Sequence, residues 1–98
     1  MILPVGFRAA ARIDVRRAAA WYSERSNQAA TGFREELAAA IALIETAPEA
    51  FPIRYRGVRR VSFRRNPYGV YYRVSPGAIE VIAVLHGKQH PRRWRRRS

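Results

Sequence analysis

The sequence has no cysteine, which excludes a disulfide framework and a thiolate metal centre and leaves packing alone to hold the fold. Nowhere does an apolar run approach the roughly 20 residues that a membrane-spanning helix needs, and the start lacks the basic-then-apolar order of a secretory signal. The expectation is a cytoplasmic protein without membrane contact. Acidic residues are scarce as well, seven against nineteen Lys and Arg, and the scarcity is uneven. Residues 1–52 carry six arginines and six acids and sum to zero, whereas residues 53–98 carry thirteen cations against Glu80 alone and hold the whole net charge of +12. All cations but Lys88 are arginine, whose planar fork suits bidentate phosphate or carboxylate binding and stacking. Such a field favours an anionic partner and salt-sensitive binding.

What is present is enough for one domain, residues 1–98, with one modest core. Leu3 to Phe7 alternates and reads as an edge strand, since Pro4 cannot donate to a central ladder. From Ala9 the period turns helical, with Ala11, Val15, Ala18 and Tyr22 on one face, and the pattern runs to about residue 25. Ser26 and Asn27 form a break and cap before a second stripe of Phe33, Leu37, Ile41 and Ile44, which Pro48 ends. Two helices joined so closely form an antiparallel hairpin, with Trp21, Tyr22, Phe33 and Leu37 expected in the seam. Residues 47–57 read as a loop. Strands are expected over 58–65, 69–75 and 78–85, punctuated by Asn66-Pro67 and Pro76-Gly77, and the nearly continuous apolar run 79–85 marks the central one. The expected architecture is α+β: an N-terminal strand, a helical hairpin, a three-stranded antiparallel meander and a basic tail, 87–98. The helices cover one sheet face and leave the other for a partner.

Four segments in order carry a resemblance: Val58-Arg59-Arg60; Asn66-Pro67-Tyr68-Gly69-Val70-Tyr71-Tyr72; Val81-Ile82-Ala83-Val84-Leu85-His86; and Pro91-Arg92-Arg93-Trp94. With Asp14-Val15, Trp21-Tyr22 and Phe33 to Leu37 in the first half, the chain resembles the RelE/ParE superfamily, the toxins of bacterial type II toxin-antitoxin systems, and within it the ParE-like, plasmid-stabilisation type. The resemblance implies a growth-inhibiting toxin that a cognate antitoxin neutralises through an acidic, partly disordered segment. It offers two targets: DNA gyrase for ParE-like members, or messenger RNA cleaved in the ribosome for RelE-like ones, with no cofactor or metal in either case.

Metal-free RNA cleavage needs a base for the 2′-hydroxyl, cations for the phosphorane and an acid for the leaving oxygen. At positions where RelE carries such groups, this chain has Gly69, Gln89 and Ser62, with Arg60 alone matching a cation. The favoured expectation is therefore ParE-like action on gyrase without enzymatic activity. The alternative is a metal-independent endoribonuclease built from His86, Arg64, Arg73, Lys88 and His90, since a neutral imidazole can serve as base or acid. A nucleic-acid-binding module that is not a toxin is the third reading. Target or nucleic-acid contacts are expected from Arg60, Arg64, Arg65, Arg73, Lys88, Arg92, Arg93, Trp94 and Arg95, with Trp94 as a stacking platform that also packs back on the fold. Antitoxin contacts are expected from Trp21, Tyr22, Tyr68 and Tyr72.

Overall fold

The structure, a computed structural model, describes residues 2–89 and 91–98. Strand β1 (Val5–Phe7) leads into α1 (Ala9–Ser23) and α2 (Asn27–Thr46), followed by β2 (Ile53–Tyr55), β3 (Val58–Ser62), β4 (Tyr68–Ser75), β5 (Ala78–His86) and the single turn α3 (Arg92–Arg95). One five-stranded sheet has the order β1-β5-β4-β3-β2. β1 runs parallel to β5, and every other neighbour is antiparallel.

Local chemistry accounts for the punctuation. Ser26 is the N-cap of α2, its hydroxyl accepting from the Ala29 N–H at 3.0 Å and satisfying one of the donors a helix start leaves open. Arg56 and Gly57 both take positive φ, 48° and 78°, which makes a two-residue hairpin turn whose twist matches its strands. Pro76-Gly77, with Gly77 at φ 78°, closes β4 on β5 as a type II turn.

The helices pack on one face of the sheet over Ala11, Ala18, Phe33, Ala40, Ile44, Val61, Val70, Tyr72, Ile79, Val81 and Val84. Tyr22, Phe33, Phe63 and Tyr68 form the aromatic end of this core, with centroids of 5.4–5.5 Å between Phe33 and each of the other three. Trp21, expected in the hairpin seam, lies outside it with 48% of its surface exposed. Tyr22 takes the inward position.

Three further expectations change. Residues 53–55 form an edge strand within the expected loop, too short for a period to show. The middle of the five strands is β4, with β5 interior between it and β1. Finally, the second face is not bare. Val58, Tyr71, Ile82, Ala83, Leu85 and Trp94 form a smaller core there, with Tyr55 against it. The apolar run of β5 has this cause: both faces are covered, and a bulge around Ile82 lets Tyr71 and Tyr72 pair with Ala83 and Val81. Ile79, Val81 and Val84 thus turn to the helices and Ile82, Ala83 and Leu85 to the other side.

Candidate functional site

The basic tail is folded. Trp94, 5% exposed, stacks on Tyr71 at 4.8 Å and meets the edge of Tyr55 at 6.1 Å. It is therefore a core residue, and its ring is not a surface on which a base can stack. Past α3, Arg97 crosses to Asp14 on α1, with Nη1–Oδ2 at 2.6 Å and Nη2–Oδ1 at 3.2 Å. The pair closes the edge of β5 beyond its pairing with β1: Asp14 Oδ2 accepts from the Val84 N–H at 3.0 Å, and Arg97 Nη1 donates to the Ile82 carbonyl at 3.1 Å. Arg8 adds a bond to the Arg97 carbonyl and a 2.9 Å ion pair with Glu80. Buried polar groups need such partners, and here the bulge's backbone finds them in side chains from both ends of the chain.

Around Trp94, the outer sheet face carries guanidinium groups on aromatic rings. Arg60 lies 5.5 Å from the Tyr71 centroid, Arg95 4.9 Å and Arg56 5.3 Å from that of Tyr55, and Arg73 donates to the Arg56 carbonyl at 3.2 Å. The Arg60 side chain rests on Gly69, where an added Cβ would collide with its Nε, and its tip passes Gly87. That Nε is buried with no hydrogen-bond partner among the described residues. A side chain at position 69 would therefore push the Arg60 side chain off this path.

At the end of the sheet where β4 starts and β5 ends, Tyr68 and His86 face each other across the strands. His86 Nδ1 accepts the Lys88 N–H at 3.0 Å, which puts the ring proton on Nε2, while the Gln89 side chain accepts the His86 N–H at 2.7 Å. Arg64 and Arg65 are exposed on the adjacent loop, which Glu36 of α2 pins by accepting from the Arg65 N–H at 2.7 Å and from both the backbone N–H and side-chain amide of Asn66. Lys88 is exposed at the same end. Arg73 is not. It sits five residues along β4 from Tyr68, about 16 Å away at the rise of a strand, so the residues considered for RNA cleavage do not converge on one point. His90 lies outside the described residues. No group of three metal-binding side chains occurs among the described residues.

Trp21, Tyr22, Pro67, Tyr68 and His86 line a cavity of about 360 Å³. A second cavity, of about 200 Å³, continues from Trp21 and Tyr68 to Arg17, Gln89 and Arg93. Arg25 lies over the Trp21 ring at 3.2 Å and donates to the Trp21 carbonyl. Burial pushes the Tyr68 hydroxyl pKa up, aided by the Asp14 charge, and likewise raises that of Tyr22, aided by Tyr68 and Glu36. Both hydroxyls stay neutral donors. Tyr72, expected to meet an antitoxin, is instead fully enclosed under the helices with its hydroxyl on the Pro48 carbonyl at 2.6 Å, and it presents no surface.

The structural roles of Asp14, Arg97, Glu36 and Gln89 were not read from the sequence. Asp14 had a signal: its spacing from Ala11 and Ala18 places it on the buried face of α1, where an acid demands a partner.

The sequence profile described as ParE toxin of type II toxin-antitoxin system, parDE, matches residues 5–91. No curated protein matches the sequence significantly. Among solved structures, the chromosomal ParDE system from P. aeruginosa contains a chain with 14% identity and a TM-score of 0.74, covering 87% of this chain and 96% of that one. The toxin-antitoxin complex RelBE2 from Mycobacterium tuberculosis contains one with 20% identity and a TM-score of 0.53, covering 88% and 99%. The chain belongs to the ParE toxin family of type II toxin-antitoxin systems.

Proposed function

We propose that this toxin arrests growth by acting on DNA gyrase and does not cleave RNA. One observation carries this reading: two of the three positions where RelE-like catalysis would place further cations, 69 and 89, have structural employment here. Gly69 is the floor beneath Arg60, and Gln89 caps the His86 N–H. An arginine at 69 would need the space that Arg60 fills. The Lys88 N–H occupies His86 Nδ1, so that nitrogen is already engaged within the chain. Target contacts then fall to the exposed cations Arg64, Arg65, Lys88 and Arg93 and to the guanidiniums of the outer face.

A cognate antitoxin would neutralise the toxin with an acidic segment that folds on binding. The groove from Trp21 and Tyr68 to Arg17 and Arg93 offers it an apolar anchor beside two cations. No helix among the described residues is long and apolar enough to cross a membrane, and the proposed site of action is the cytoplasm.

The test is a supercoiling assay with purified gyrase, run beside an assay of translated messenger RNA. Supercoiling should be blocked, no cleavage should appear, and growth arrest should survive His86→Ala. Normal supercoiling at excess toxin, with messenger RNA cut in a His86-dependent manner, would reverse the assignment in favour of the endoribonuclease.

A further inference from the structure

We infer that the outer face of the sheet is a docking surface for double-stranded DNA, whose phosphate backbone it grips through Arg56, Arg60, Arg73 and Arg95. The inference rests on the gyrase reading for the choice of DNA, since gyrase works on that polymer. The surface itself is argued from the arrangement of these four side chains.

All four share one face, around the Tyr55–Trp94–Tyr71 cluster, and none has a carboxylate within ion-pair distance among the described residues. The one acid nearby, Glu80, pairs across the strands with Arg73, yet its carboxylate is engaged by Arg8 at the sheet's edge. Four like charges gathered on one patch repel one another, and a bound polyanion relieves that repulsion. The rings beneath Arg56, Arg60 and Arg95 help to orient the guanidiniums. Stacked in this way, a guanidinium leaves N–H groups at its edge for an oxyanion.

The same stacking decides between kinds of nucleic acid. Single strands are held by bases laid on bare aromatic rings. On this face Trp94 and Tyr71 are buried against each other, and Arg56 and Arg95 both attend Tyr55. A surface of cations without an open ring suits a duplex, whose bases stay paired and whose phosphates face outward. Trp94 is the positioning residue, because it fixes the turn that carries Arg95.

The experiment measures binding of the full chain to a fluorescent DNA duplex of about 20 base pairs, and to a single strand of the same length, by anisotropy across a salt series. Four phosphate contacts correspond to a slope of log K against log salt of about −3.5 for the duplex, and each of Arg56→Gln, Arg60→Gln, Arg73→Gln and Arg95→Gln should reduce it by about 0.9. Arg16→Gln and Arg34→Gln, on the exposed sides of α1 and α2, should leave the slope unchanged. Circular dichroism on each single variant establishes that it is folded. Single strand bound as tightly as duplex, or slopes unmoved by the outer-face substitutions, would overturn the inference. Gyrase inhibition without duplex binding would also overturn it while leaving the toxin's target intact. Duplex binding without gyrase inhibition would uphold the surface and count against the target.

Discussion

The two faces of this sheet are closed by different means. Under the helices the core is aliphatic and aromatic, contributed by two long elements. On the outer face a much smaller core is shut by one indole, and arginines occupy the ground around it. The first face gives stability at little electrostatic cost. The second tolerates unmatched charge because its rings and strand backbone hold the guanidiniums in place. A small domain with so lopsided a charge can fold because the burden of packing and the burden of charge fall on opposite sides of the same five strands.

Truncation on each face should break or sharpen that contrast. Phe33→Ala removes the ring at the centre of the inner aromatic cluster and should cost about 3–5 kcal/mol, measured by denaturant unfolding. Trp94→Ala removes a ring of greater size, yet it should cost less, about 2–3 kcal/mol, because the shallow site beneath α3 can relax while Arg97 stays paired with Asp14. Hydrogen exchange should then show α3 less protected and α1 and α2 unaffected. Equal costs for the two substitutions would mean that the outer core is as integral as the inner.

Gly69→Ala should cost about 1–3 kcal/mol through the collision with Arg60, and most of the loss should be recovered in Gly69→Ala/Arg60→Ala, as a double-mutant cycle would show. The smallest effect is on pH. Burial raises the folded-state pKa of Tyr22, Tyr68 and Tyr72 above the ordinary value of 10.0. Below that value both folded and unfolded chains hold the phenol protons, so these groups add no pH dependence. As pH rises above it the unfolded chain loses protons first, and stability falls. Unfolding midpoints contributed by these groups should be flat up to about pH 9 and decline from about pH 10 upward.

Much of the fold was legible, for physical reasons that differ by element. Both helices were marked by apolar spacing, α2 also by its serine cap, and β4 and β5 by their turns. β2 was not, because three edge residues with Ile53 and Arg54 exposed show no alternation. The parallel pairing of β1 with β5 is a long-range contact that no local pattern encodes. The site was less legible. Gly69 read as the loss of a cation, but its meaning depends on where the Arg60 side chain lies across the neighbouring strand. Trp94 was expected to pack back while also serving as a platform, and burial leaves only the first role. Arg97 looked like one more member of a basic run, since nothing adjacent in sequence points to Asp14, 83 residues away.

The division of labour between the faces comes to a direct test in gyrase supercoiling measured with Arg56→Gln/Arg73→Gln beside the unsubstituted toxin. Both side chains lie on the outer face and outside either core. Inhibition should fall at least tenfold, a change equivalent to about 1.4 kcal/mol, with the melting temperature nearly unchanged. Full inhibition by a folded double variant would contradict the assignment of the outer face as the surface through which this toxin works.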